Sequence, residues 1–139
     1  MFALDDAFPA TSHALGELSL CEVRLQADSR YAWIVLIPRR ADAVEIEDLA
    51  PEDRALLLEE ILLAGAAVRA VGEALGAPVE KLNIGQLGNI TRQLHVHVVG
   101  RRVGDAAWPG PVWGVGSAEA YDERDLTAAI TAARTALNL

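Results

Sequence analysis

The sequence predicts an α+β chain, with strand segments in both halves, one long helix between them and a second helix at the C-terminal end. Three observations carry this prediction. Tyr31 to Ile37 is aromatic, β-branched and apolar on both faces, as a central strand is. Pro51 to about Leu75 spaces leucines and alanines at helical intervals behind an acidic first turn. Gln93-Leu94-His95-Val96-His97-Val98-Val99 alternates polar and apolar residues, the mark of a half-buried strand.

At 139 residues the chain fits one domain with a sizeable core. Its 52% apolar and 23% charged residues are ordinary for a soluble globular protein. A net charge of −8 argues against partners that need a broad positive surface, namely nucleic acid and acidic membranes. The single cysteine, Cys21, excludes an internal disulfide framework and fits a reducing cytoplasm. The acidic start gives no signal-peptide pattern, and the apolar run from Ala32 to Pro38 is too short to span a bilayer.

Along the chain, residues 1–17 offer Phe2, Leu4, Phe8 and Leu15 as anchors for a short helix and loop, with Pro9 expected to break any helix. His13 there is expected to be a packing or surface histidine. Leu18 to Leu25 alternates loosely, turns at Asp28-Ser29-Arg30, and is expected to pair with Tyr31–Ile37 as an antiparallel hairpin. Arg39 and Arg40 follow the Pro38 stop. The long helix ends at Gly76 and Pro78 and is assigned a structural role. A short strand follows from Glu80 to Gly85, then a turn rich in glycine and amides, Gln86-Leu87-Gly88-Asn89. Trp108-Pro109-Gly110-Pro111-Val112-Trp113 is barred by its prolines from helix or interior strand, so it lines a pocket or crosses to a partner. Residues 117–138 form the final helix.

On the Gln93–Val99 strand, Leu94, Val96 and Val98 face a core, while Gln93, His95 and His97 face the other way. Three chemistries suit such a pair of histidines. They are two ligands of a metal whose remaining ligands have no helpful spacing, hydrogen-bonded structural histidines, or a nucleophile with its helper. An imidazole attacking phosphorus needs its second ring nitrogen held and needs donors for the phosphate oxygens. Gly88 and Asn89 supply backbone and amide N–H groups before the strand, and Arg92, Arg101 and Arg102 flank it.

These residues resemble the signature of the histidine triad superfamily, in which histidines alternate with hydrophobic residues and two further hydrophobics follow. Asn83-Ile84-Gly85 with Gly88-Asn89, Leu36-Ile37-Pro38-Arg39-Arg40 and Trp108-Pro109-Gly110 are similar to further elements of that family, so the likeness covers about residues 18–114. The resemblance implies a HIT-like fold: about five antiparallel strands with one long helix packed on them, here with an additional C-terminal helix. It implies a homodimer and a hydrolase or nucleotidyl transferase acting on nucleotide-like small molecules, phosphoramidates among them, with no metal cofactor. A nucleotide-binding regulatory module of the same fold is the alternative. Carried onto this sequence, His95 matches the nucleophile that forms a nucleotidyl-histidine, His97 the last triad position, and Asn83, Gly88 and Asn89 the substrate-binding elements. The first triad position is Gln93, which keeps the backbone carbonyl that orients the nucleophile but offers no acid. Ile90 stands where a hydroxyl residue is common, and Ala41 where many members carry a histidine.

Overall fold

The computed structural model describes residues 1–139. A short helix, α1 (Ala7–Thr11), leads into β1 (Ser12–Glu17), β2 (Cys21–Gln26) and β3 (Trp33–Pro38). A 3-10 turn at Ile46–Asp48 precedes the long helix α2 (Pro51–Ala74), followed by β4 (Lys81–Gly85), β5 (Val96–Arg101) and α3 (Glu123–Leu137). The strands form one antiparallel sheet in the order β1-β2-β3-β5-β4. The predicted α+β architecture, five antiparallel strands with one long helix packed on them and an additional C-terminal helix, is therefore the observed one, with β3 central, fully buried and hairpinned to β2.

Five boundaries differ from expectation. Pro9 lies inside α1, because a proline in the first turn of a helix removes only an N–H that has no partner there. Ser12–Glu17 is a strand with a bulge between Ala14 and Gly16, and it supplies the fifth strand. Leu18 to Leu20 turn instead of extending, and β2 begins at Cys21. The buried Glu60 of α2 holds that turn, its carboxylate accepting from the Leu20 and Cys21 N–H groups at 2.8 and 2.9 Å. Finally, β5 starts at Val96 and α3 at Glu123, where Asp122 caps the helix through the Asp125 N–H at 2.7 Å.

The two faces of the sheet have different coverings. Val23, Leu25, Ile34, Leu36, Val96 and Val98 join Ala64, Val68 and Val71 of α2 and Ala129 and Ala133 of α3 in the main core. Gly100 lets α2 approach β5, since a Cβ there would meet Val79 and Val68 side chains at 2.6 and 2.8 Å. On the opposite face Phe8, Tyr31, Trp33, Val35, Ile37, Val99 and Val112 form a smaller aromatic cluster. His97 belongs to this second face by alternation, and His95 precedes it on the same side. No helix is long and apolar enough to cross a membrane.

Candidate active site

A cavity of about 490 Å³ opens on the second face of the sheet. His95 and His97 stand on one wall, and α1 and the Val112–Gly116 segment close the sides. The loop carrying Gly88 and Asn89 also lines it, as do Gln26, Asp28 and Arg30.

The two histidines have complementary hydrogen-bond partners. His95 Nδ1 lies 2.6 Å from the Gln93 carbonyl oxygen, which can only accept, so Nδ1 carries a proton and the lone pair of the neutral ring lies on Nε2. His97 Nδ1 accepts the Trp33 indole N–H at 2.9 Å, which assigns the remaining ring proton to Nε2. The ring centroids are 4.9 Å apart, edge to face. Trp33 and Trp113 each stand edge-on to His97 at 5.5 Å, and Phe8 stands edge-on to His95 at 5.0 Å. His95 is 6% exposed. The site thus presents one imidazole nitrogen bearing a lone pair beside one bearing a proton, in an aromatic cage.

Burial, and then the neighbouring His95, push the His97 pKa down to about 4. The indole donor favours the same neutral form, because a cationic ring would turn Nδ1 into a donor facing a donor. The expected result of an NMR titration is a His97 ring neutral down to about pH 4, and a pKa nearer the ordinary value in Trp33→Phe. Between about 6.5 and 4 the unfolded chain takes up a proton that folded His97 refuses. This contribution to stability is therefore full above the upper value and shrinks as the pH falls. An imidazolium signal for His97 at pH 6 contradicts the assignment.

Not every residue singled out in the sequence reaches the cavity. His95, His97, Gly88 and Asn89 line it. Gly88 has φ +98°, the left-handed region that favours glycine. Gln93 does not line it: the residue precedes β5, and its side chain is held by the N-terminal segment. Asn83 sits on β4 with its amide oxygen accepting from Arg101 at 2.7 Å, outside the cavity. None of the three flanking arginines lines it either; Arg101 is buried against Asp105, and Arg92 and Arg102 are exposed. Arg39 bonds the carbonyls of Leu18 and Ser19, and Arg40 pairs with Asp53.

Arg30, which the sequence placed only in a turn, is the cation that reaches the cavity, and Asp28 pairs with it at 2.9 Å. Burial raises the Asp28 carboxyl, but the Arg30 bonds and two backbone N–H groups outweigh it and leave its pKa below the ordinary value. His95 and His97 have no third histidine, cysteine or carboxylate grouped with them as a metal set would require. The signal for Trp33 was its register: Val35 pairs with His97 and Trp33 with Val99, so the indole falls one step diagonally from the imidazole.

Comparison with known proteins identifies the family. The model of the HIT domain family matches residues 8–104, so the match includes β1 and ends before Trp108-Pro109-Gly110. Among solved structures, the chain is 44% identical to a histidine triad protein of Sinorhizobium meliloti 1021, covering 99% of this chain and 98% of that one with a TM-score of 0.89. It is 41% identical to a histidine triad protein of Bradyrhizobium japonicum, covering 98% of each chain at a TM-score of 0.89. A histidine triad protein of Marinobacter aquaeolei VT8 is 36% identical, with 99% and 97% covered and a TM-score of 0.87. No curated protein matches.

Proposed function

The chain belongs to the HIT domain family, and from that premise we propose that it is a cytoplasmic hydrolase or nucleotidyl transferase acting on nucleotides through His95. The observation that supports this most is the opposite protonation of the two imidazoles in one cavity. His95 Nε2 attacks the α-phosphorus, forming an N–P bond as the bond from phosphorus to the leaving group breaks. Water then attacks the same phosphorus, the N–P bond breaks, and His95 returns with its lone pair. His97 Nε2–H donates to a non-bridging oxygen, where negative charge builds, and the Gly88–Asn89 segment adds N–H donors. The volume of about 490 Å³ suits a small ligand, and the aromatic walls suit a nucleoside.

The test is nucleotide release from phosphoramidates, dinucleoside polyphosphates and nucleotide sugars, with wild type and His95→Ala side by side. Release that depends on His95 supports the reading; equal slow release by both overturns it. A second reading, a nucleotide-binding module with little turnover, is favoured by one observation: neither Gln93 nor neutral His97 is an acid fit to protonate a leaving group. Tight nucleotide binding without release would select it.

The same reading includes a homodimer. β4 is an edge strand, and Leu58, Leu62 and Leu63 of α2 are 57%, 61% and 46% exposed. Sedimentation equilibrium is expected to return twice the chain mass; the chain mass itself at micromolar concentration contradicts a stable dimer.

A further inference from the structure

Gln93 is the one polar residue of the alternating stretch whose side chain stays out of the cavity. Its backbone carbonyl holds His95, and that contact survives any substitution of the side chain. The side-chain amide is engaged elsewhere, with both of its functions used. Its oxygen accepts the Asp5 N–H at 2.9 Å and its NH₂ donates to the Ala3 carbonyl at 2.8 Å, across almost the whole length of the sheet-forming chain.

Asp5 passes this tie onward. Its carboxylate accepts the Ala7 N–H at 2.8 Å, and its carbonyl accepts the Phe8 N–H at 3.1 Å. Phe8 is 6% exposed and its ring meets His95 edge-on at 5.0 Å. From the other side the Ser12 hydroxyl donates to the Phe8 carbonyl and accepts from Arg24 Nε at 2.7 Å. An unbroken run of contacts therefore joins the Gln93 amide to His95; residues 3 and 5 are exposed, Phe2 and Leu4 before and between them pack on the aromatic cluster, and the Gln93 amide supplies the polar tie of this segment.

We propose that Gln93 is a positioning residue, which pins residues 3–5 and through Asp5 holds Phe8 as a wall of the substrate cavity against His95. The first triad position in this chain thereby shapes the cavity and takes no part in moving protons. The inference rests on the proposed nucleotide chemistry for its kinetic consequence only; the tie itself is a matter of structure.

The experiment compares wild type with Gln93→Ala, Gln93→Glu, a chain lacking residues 1–5, and the truncated chain carrying Gln93→Ala. Hydrogen exchange at the Asp5 amide and the proton–proton contact between Phe8 and His95 by NMR read the tie without turnover. In Gln93→Ala, exchange at Asp5 is expected to rise about tenfold, from loss of the bonds that hold it, and the Phe8–His95 contact to weaken. Gln93→Glu keeps the acceptor and loses the donor, so its exchange falls between the two. Adding Gln93→Ala to the truncated chain changes nothing further, because its partners are already gone. KM is expected to rise about tenfold while kcat changes less than about threefold. Unchanged Asp5 exchange and an unchanged Phe8–His95 contact in Gln93→Ala overturn the proposal. So does a loss of kcat of about a hundredfold with exchange unchanged, which would place Gln93 at the reacting atoms. A wild type with no turnover defeats the nucleotide reading alone, and the two NMR measurements still decide the role of Gln93.

Discussion

His95→Ala is expected to lower nucleotide release by about a thousandfold or more, the largest effect of any single substitution in this chain. The size follows from what is removed. A covalent route divides one hard displacement at phosphorus into two easier ones, and only the nitrogen of His95 that keeps its lone pair opens it. Water attacking directly would have to find the same approach line in a cavity shaped for the imidazole. The fold should survive, since His95 precedes β5 and gives up its bond to the Gln93 carbonyl and its ring contacts with Phe8 and His97, while the core on the other face of the sheet is untouched. Circular dichroism should therefore match wild type while activity is lost. Loss of both together would make the kinetic result a folding effect, and His95→Gln, which fills more of the space, separates the two.

Asp105→Ala is expected to cost about 3–5 kcal/mol of stability, because it leaves a buried guanidinium without its counter-charge. Arg101 and Asp105 side chains are 1% and 2% exposed and meet through two bonds of 2.8 and 2.9 Å. Arg101 also reaches Asn83 and stacks over Tyr31 and Trp108, so its relocation disturbs both the β4 edge and the tryptophan segment. Urea unfolding measures the loss, and the apolar pair Arg101→Met with Asp105→Leu should recover most of it. The pH dependence has a defined sign. Burial raises the Asp105 carboxyl, but hydrogen bonds from Arg101 and from backbone N–H groups, with the Arg101 charge, leave its pKa below the ordinary value. Its contribution is then full above the unfolded value of about 3.9 and is lost as the pH falls through the lower folded one. Wild type should lose this increment in acid, and the apolar pair should not.

The readable part of this chain was the part written in local pattern. Tyr31–Ile37 announced β3, Pro51 with its acids announced α2, and the alternation around His95 and His97 put both imidazoles on the face away from α2 and α3. β1 was not legible, because Ser12–Glu17 holds no β-branched residue and bends at Gly16; its strand state comes from pairing with β2. The cavity's cation was not legible for a related reason. Arginines adjacent in sequence to the signature stood out, yet Arg101 is drawn to Asp105 and Arg30 arrives from the β2–β3 turn. The destination of the Gln93 side chain was the least legible feature, since its partners lie 88 and 90 residues away on a segment with no periodic signal. What local spacing gave was the identity of the imidazoles; what only the fold gave was which nitrogen of each is protonated.

That difference between the nitrogens is the centre of the account, and covalent trapping tests it most directly. Wild type would be mixed with excess nucleoside 5′-phosphoramidate, quenched within a turnover, digested and read by mass spectrometry. The account predicts one nucleotidyl group on the peptide carrying His95, bound to that histidine and chased away by water on further incubation. Steady turnover with no adduct at any time, or an adduct on His97 in its place, would contradict it.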